Sequence, residues 1–298
     1  MLNFFKKIVT LILPKSWFIF LSDLLRIPRK LEENQKNIHT LATLILEPDK
    51  KDLKINGCEL KFHSQHGEDG ILQYIFSKIG TTNRFFVEFG FGDGRECNTA
   101  NLSLNLGWQG LLMDCDKKKV LQARYYYQKA LKDKLSKVTI LANLVTAENI
   151  NEILLKNNIK GEIDLLSIDI DGNDYWVWQA ITVIKPRVVV IEYNASFGLE
   201  KALTVKYDPD FKRYKKDPRG FYFSASLAAL TKLANSKGYV LIGCDSSGTN
   251  AFYVLKETAL GKFPELSLEE AYFPSAAAKK LGGQGQDELI RSLDLESV

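Results

Sequence analysis

The sequence has few of the residues that build metal centres on nitrogen or sulfur ligands. Its 298 residues include four cysteines and three histidines, and no two cysteines form a C-x-x-C pair. This pattern argues against a disulfide framework and against a zinc site. It favours a reducing compartment, so we expect a cytoplasmic protein. Any bound metal is expected to be a hard cation held by carboxylates.

The chain also lacks a strong net charge and a long apolar run. It carries 40 basic and 36 acidic residues, a net of +4, with 45% hydrophobic residues. This balance is typical of a globular domain and gives no reason to expect a nucleic-acid partner. No apolar run approaches the roughly 20 residues that a membrane-spanning helix needs.

Positive charge is concentrated in residues 1–30, which the small net charge of the whole chain does not reveal. They hold six basic side chains against one acid, Asp23, a local net of +5, interleaved with Phe and Trp. This composition predicts peripheral contact with an anionic membrane, here its inner face. The alternative is an arm that packs on its own domain or on a second copy. Apolar spacing from Leu25 to Leu46 predicts a helix that could pair in a homo-oligomer.

The remainder of the chain alternates short β-rich runs with amphipathic helices. Seven runs are predicted strands: 84–90, 110–116, 137–143, 163–171, 187–194, 238–245 and 250–257. Runs that are hydrophobic throughout indicate strands buried on both faces, hence an α/β fold with a mostly parallel sheet between two helical layers. The last two runs are separated only by SSGT, which predicts an antiparallel hairpin with the final strand at an edge. We expect a basic helical arm (1–50), an α/β domain (51–275) and an acidic tail (276–298).

A glycine-rich turn follows the first strand and precedes a helix. Gly90, Gly92 and Gly94 occupy it and are candidate cofactor-binding residues, because glycine lets a backbone approach a ligand closely. A nicotinamide dinucleotide fingerprint would require glycine at position 95, which is Arg95. Glu88, two residues before the turn, suits a cofactor that carries an ammonium group, such as S-adenosylmethionine (SAM).

The second strand ends in acids that could hold ribose. Asp114 lies 24 residues after Gly90, close to where an acid binds ribose hydroxyls in doubly wound sheets. Asp116 is the alternative.

Five sequence blocks together resemble the FkbM-like SAM-dependent methyltransferases: SQHGEDGIL (64–72), FFVEFGFGDG (85–94), GWQGLLMDCD (107–116), DLLSIDIDGND (164–174) and RVVVIEYN (187–194). The resemblance covers roughly residues 60–260 and implies a Rossmann-like class I methyltransferase fold. Carried over by position, it implies that Glu88, Gly90 and Gly92 line the methionine part of SAM and that Asp114 binds the ribose. It also implies Asn143 near the adenine, with Gln65 in a block that covers the cofactor.

Two pairs of polar residues lie where the fourth and fifth strands end. Asp169 and Asp171 are two residues apart, as are Glu192 and Asn194. A period of two places each pair on one face of its strand, and neighbouring strands bring the pairs together. Carboxylates gathered at one rim need a cation between them. We therefore predict a Mg²⁺ site made of these four residues, as in some metal-dependent O-methyltransferases.

Methyl transfer to a hydroxyl also requires a proton acceptor. Asp169 and Asp171 are the first candidates for this base, and Asp169 is also a candidate cofactor contact. His66 is a further candidate. Asn173 and Asp174 are expected to cap the next helix.

We expect a SAM-dependent O-methyltransferase that acts on a hydroxyl of a sugar, glycan or related small polar acceptor. The segment 205–226, with six basic and three acidic residues among aromatics, is a candidate substrate lid. One alternative is a non-catalytic tethering module in a glycan-assembly complex. Another is an NAD-dependent oxidoreductase, which Arg95 and Glu88 disfavour.

Overall fold

A computed structural model describes residues 54–132 and 137–298, together with Asn34, Asn37 and Ile38. The chain divides into two units, Met1–Lys51 and Asp52–Val298. In the first unit the three described residues are helical. The predicted membrane contact of residues 1–30 lies outside the described residues, as does almost all of the helix predicted to pair in an oligomer.

The second unit is built on a seven-stranded sheet. Its strands are β1 (Phe85–Phe89), β2 (Gln109–Asp114), β3 (Val138–Ala142), β4 (Gly161–Ile168), β5 (Ile184–Glu192), β7 (Tyr239–Cys244) and β8 (Asn250–Leu255). Their order is β3-β2-β1-β4-β5-β8-β7, and β1 to β5 pair in parallel. The seven predicted strands and the Rossmann-like class I methyltransferase fold are confirmed.

The hairpin at the end of the sheet differs from the prediction in one respect. β8 pairs antiparallel with both β5 and β7, so the antiparallel strand lies inside the sheet and β7 forms the edge. Every residue of β8 is buried, as expected for a strand with neighbours on both sides. Hydrogen bonds from the amides of Ser247 and Asn250 to the carboxylate of Asp245 fix the hairpin loop.

Helices cover both faces of this sheet. They are α1 (Glu68–Ile79), α2 (Ala100–Leu104), α3 (Lys117–Leu131), α4 (Ile150–Lys156), α5 (Asp174–Ala180), α6 (Arg213–Lys216), α7 (Leu227–Ser236), α8 (Lys256–Ala259), α9 (Leu268–Ala271) and α10 (Ala276–Ser292). Alternate strand residues belong to the two layers: Val189 lies in the core cluster that includes residues of α4, α5 and α7, whereas Val190 lies in the cluster that includes residues of α1 and α3. This alternation explains why the strands are apolar throughout.

Two strands have no counterpart in the sequence prediction. β6 (Leu203–Val205) and β9 (Leu295–Ser297) form a separate antiparallel pair. The segment predicted as an acidic tail thus contains α10 and a strand that returns to the domain. Within the described ranges, no helix has both the length and the apolar character needed to span a bilayer.

Candidate active site

A cavity of about 1150 Å³ opens at the carboxyl ends of the parallel strands. In doubly wound sheets this edge binds ligands, because the loops that follow the strands diverge there. Its walls come from the glycine turn after β1, the ends of β2 to β5, the start of α1 and the segment after β6.

The three glycines of the turn have different roles. All three have positive φ angles (78°, 63° and 75°), which favour glycine. A Cβ on Gly90 would lie 1.4 Å from the carbonyl oxygen of Asp169, and one on Gly94 would lie 2.9 Å from the ring of Tyr127. A Cβ on Gly92 would meet no atom within 4 Å. Gly90 and Gly94 are therefore required by packing, whereas Gly92 faces open space in the cavity.

Glu88 lines the cavity, but its carboxylate is largely engaged by the protein. It accepts hydrogen bonds from the amides of Asn98 (3.0 Å) and Thr99 (3.2 Å) and from the hydroxyl of Ser167 (3.3 Å). Burial raises the pKa of Glu88, and the Thr99 hydroxyl opposes that rise. The residue therefore shapes the turn that precedes α2, in addition to facing the predicted position of the cofactor.

Asp114 lies at the end of β2 and shares the cavity with Gly92. Its two carboxylate oxygens accept the amides of Gly92 (3.0 Å) and Asp116 (2.8 Å). A carboxylate has about four acceptor sites, so capacity for ribose hydroxyls is left over. Asn143, after β3, also lines the cavity, and its backbone N–H donates to the carbonyl oxygen of Asp114.

The block before α1 folds over one side of the cavity. One oxygen of Asp69 accepts three backbone amides, those of residues 62–64, at 2.6–2.9 Å. This arrangement directs Gln65 and Glu68 to the cavity. His66 is exposed and is not among the residues that line the cavity. The structure therefore does not place His66 where a base would act.

Three carboxylates meet at the ends of β4 and β5. Asp169, Asp174 and Glu192 each offer an oxygen, and these oxygens lie within 4.8 Å of one another. We call them the acidic cluster. Asp174 and Glu192 are buried, and Asp169 is half-buried. Among the described residues, Oε2 of Glu192 is buried without a hydrogen-bond partner.

Burial and mutual repulsion make the ionised form of the acidic cluster unfavourable. Burial, followed by repulsion from neighbouring carboxylates, raises the pKa values of Asp169 and Glu192 well above their ordinary range. Burial also raises the pKa of Asp174 to about 6, although the amides of Ile170 and Gly172 bind its two oxygens. Three adjacent carboxylates cannot all be ionised here without a compensating cation.

Two of the four predicted metal ligands lie outside the acidic cluster. The Asp171 side chain lines the cavity but is 66% exposed and pairs with Arg213 at 2.7 Å, and its backbone is left-handed (φ 59°). Asn194 is fully buried, and its amide donates to the carbonyl oxygens of Phe221 (2.8 Å) and Phe223 (3.1 Å). Asn194 is therefore an anchor for the chain, and Asp174 is the third carboxylate beside Asp169 and Glu192.

Asp174, expected to be a helix cap, is the cluster member that sequence reasoning missed. It is the first residue of α5, but it binds the turn that precedes the helix. A second missed feature is the pair of Glu68 and Asn250, which are joined at 2.8 Å and line the same cavity. Asn250 lies opposite Glu192 in the β5–β8 register, which sequence spacing alone does not reveal.

Residues 206–223, here called the cover segment, close the side of the cavity next to the acidic cluster. Pro209, Phe211, Lys212, Arg213 and Tyr214 line the cavity. The segment is held to the turn after β4: the Asn173 amide donates to the carbonyl of Asp208 (2.7 Å), and the Phe211 ring occupies the space beside Gly172. Its position agrees with the predicted lid.

Two aromatic residues of α5, Tyr175 and Trp178, belong to the hydrophobic core.

Comparisons with known proteins give similarity at low identity. No family model matches the chain, and no curated protein matches it in sequence. The chain is similar to an O-methyltransferase from Bacillus cereus in complex with SAH, with 15% identity, 74% of this chain and 91% of that chain covered, and a TM-score of 0.41. It is also similar to magnesium protoporphyrin IX methyltransferase from Synechocystis PCC 6803 with bound SAM (12% identity, 63% and 77% covered, TM-score 0.41). The chain is similar as well to a methyltransferase from Streptomyces caelestis, with 15% identity, 66% of this chain and 99% of that chain covered, and a TM-score of 0.38.

Proposed function

We propose that the chain is a SAM-dependent O-methyltransferase that acts on a hydroxyl of a sugar or glycan. The observation that carries the cofactor assignment is the open space at Gly92 beside the carboxylate of Asp114. Such a turn lets the backbone approach a ligand at the end of β1, and the carboxylate next to it can accept ribose hydroxyls. The five sequence blocks support assignment to the FkbM-like group.

The cavity fits the cofactor in size and in charge. Its volume of about 1150 Å³ exceeds the roughly 300–1,000 Å³ of ordinary ligand pockets, so a cofactor and an acceptor can share it. The acids Glu88, Asp93 and Asp114 line it and suit a ligand that carries ammonium and sulfonium groups. When bound, SAM supplies a methyl group activated by the positive charge on sulfur.

The protein's own residues have three tasks in this reaction. Gly92, Asp114 and Asn143 would hold the cofactor at the ends of β1 to β3. The cover segment would exclude water and orient the acceptor hydroxyl for in-line attack. Asp169 or Glu192, both in the cavity lining, would accept the hydroxyl proton when no ion occupies the acidic cluster.

The acidic cluster also fits a hard divalent cation, Mg²⁺. Oε2 of Glu192 is a buried acceptor that no described residue satisfies, and carboxylate oxygens are the ligands that such a cation prefers. Asp169, Asp174 and Glu192 would hold the ion, which would supply Lewis acidity toward a hydroxyl.

Calorimetric titration with SAM and with NAD tests the cofactor assignment. We expect micromolar binding of SAM and no binding of NAD. Absence of SAM binding would overturn the proposal. Methyl transfer to a panel of monosaccharides and sugar nucleotides, with and without Mg²⁺, then tests the reaction.

Variants of the acidic cluster test the metal. We expect Glu192→Gln and Asp174→Asn to abolish the response of activity to Mg²⁺ while SAM still binds. Glu257→Gln is the control, because Glu257 pairs with Lys185 on the surface and lies outside both the cavity lining and the acidic cluster. An equal Mg²⁺ response in all three variants would exclude this metal site.

A further inference from the structure

The cover segment has more basic side chains than acidic ones. Among the described residues, four of its basic side chains have carboxylate partners: Lys206 with Asp294, Arg213 with Asp171, Lys216 with Asp208 and Arg219 with Asp217, at 2.6–2.9 Å. These pairs fix the shape of the segment. Lys212 and Lys215 have no carboxylate partner among the described residues.

Only one of these two lysines faces the cavity. Lys212 lines the cavity, whereas Lys215 does not, although both are exposed and lie three residues apart. Arg213, next to Lys212, is committed to Asp171 and to the carbonyl of Gly220. Within the described part of the cover segment, Lys212 is therefore the cavity-lining cation that remains available to a ligand.

Tyr214 presents an aromatic face at the same wall. It lines the cavity and is 69% exposed, with Gly220 and Arg213 as neighbours of its ring. A Cβ on Gly220 would lie 2.9 Å from the ring, and the Arg213 guanidinium lies 5.7 Å from the ring centroid. An exposed aromatic ring at the wall of a polar cavity is a surface on which a sugar can stack.

We propose that the acceptor is a saccharide that carries an anionic group, with Lys212 binding the anion and Tyr214 packing against the sugar ring. This inference rests on the proposed function and names its substrate class. A flexible ammonium binds phosphate and carboxylate alike as a point charge, so both anions belong to the class.

The lysine is tested with the full chain saturated with S-adenosylhomocysteine and titrated calorimetrically. The probes are glucose 1-phosphate, UDP-glucose, glucuronate and neutral glucose. We expect the anionic sugars to bind more tightly than glucose, and Lys212→Ala to weaken their binding about tenfold. Lys212→Arg should restore most of the loss, and Lys215→Ala is the matched control. The ratio between the phosphate and carboxylate probes identifies the anion.

The tyrosine is tested in the same titration. We expect Tyr214→Ala to weaken every sugar about threefold to tenfold and Tyr214→Phe to leave binding near wild type, since stacking needs the ring and not the hydroxyl. Tyr125→Ala is the control, because Tyr125 is 60% exposed on α3 and lies outside the cavity lining.

The results separate this inference from the proposed function. Failure of S-adenosylhomocysteine to bind would overturn the proposed function. If it binds but the anionic sugars bind no better than glucose, or if Lys212→Ala and Lys215→Ala behave alike, the anionic acceptor is excluded and the methyltransferase proposal stands.

Discussion

The guanidinium of Arg213 lies 2.7 Å from the carboxylate of Asp171, so one ion pair joins the cover segment to the turn after β4. Arg213 also stacks 3.6 Å from the ring centroid of Phe223 and donates to the carbonyl of Gly220 at 2.9 Å. Asp171 has a left-handed backbone, with a φ angle of 59°. The pair therefore sets the position of the wall that faces the acidic cluster.

Breaking this ion pair should affect activity more than stability. Asp171 is largely exposed, and pairs of this kind contribute under about 1 kcal/mol to folding. We expect Asp171→Asn to change the free energy of unfolding by no more than that and to raise KM for the acceptor about fivefold to tenfold. Urea denaturation and steady-state kinetics measure the two effects. An unchanged KM would show that the pair does not position the acceptor wall.

The two glycines at the start of the turn should respond differently to alanine. In Gly90→Ala the new methyl group would meet the backbone of Asp169 at 1.4 Å, so we expect a loss of several kcal/mol of stability. In Gly92→Ala the cost is that of a positive φ angle, about 1–2 kcal/mol, because nothing lies nearby. Gly92→Ala should fold and yet lose SAM affinity.

Thermal unfolding and calorimetry on both variants measure this contrast. Wild-type SAM affinity in a folded Gly92→Ala protein would mean that the cofactor does not approach this turn.

Replacement of the Glu88 carboxylate should lower both stability and SAM affinity. Its carboxylate accepts the amides of Asn98 and Thr99, and a glutamine there would turn an NH₂ group toward one of these donors. We expect Glu88→Gln to lose about 1–3 kcal/mol of stability and to weaken SAM binding through the displaced turn. Urea denaturation gives the first value and calorimetry the second. A fully stable variant with weakened SAM binding would instead indicate direct contact with the cofactor.

The sequence predicts the sheet well because its signal is local. Runs such as RVVVIE are apolar on both faces, and each lies within a few residues of its turn. The carboxyl ends of parallel strands must meet at one edge, and the strand-end acids Glu88, Asp114, Asp169 and Glu192 accordingly line one cavity.

What the sequence does not reveal depends on contacts between distant residues. Asn194 binds carbonyl groups about 30 residues further on, and β6 pairs with a strand almost 100 residues away, neither of which leaves a periodic trace. Asp171 has a φ angle of 59° and lies outside the acidic cluster, whereas Asp174, three residues later, belongs to it. A spacing of two residues implies a shared face only while the strand continues, and β4 ends at Ile168.

A buried ion pair remote from the cavity should make stability depend on pH. Asp164 is fully buried and pairs with Arg187 at 2.8 Å, while the amides of residues 82–84 also bind its carboxylate. Burial alone would raise the pKa of Asp164, but Arg187 and these amides lower it overall. The unfolded chain has the ordinary value of about 3.9. A lowered folded pKa stabilises the protein above that pH, and the contribution is lost as pH falls through the folded value.

Asp164→Asn should therefore cost about 3–5 kcal/mol at pH 7, since it leaves the Arg187 charge buried without a counter-charge. The difference from wild type should stay constant between about pH 5 and 8 and narrow below about pH 4, where wild type loses the same ion. Urea denaturation of both proteins from pH 3 to 8 measures this difference. Glu257→Gln is the matched control, because Glu257 pairs with Lys185 at 2.8 Å on the surface and should change stability by under about 1 kcal/mol. A difference that widened as the pH fell would mean that the folded pKa of Asp164 is raised, and the ion pair would then not stabilise the fold.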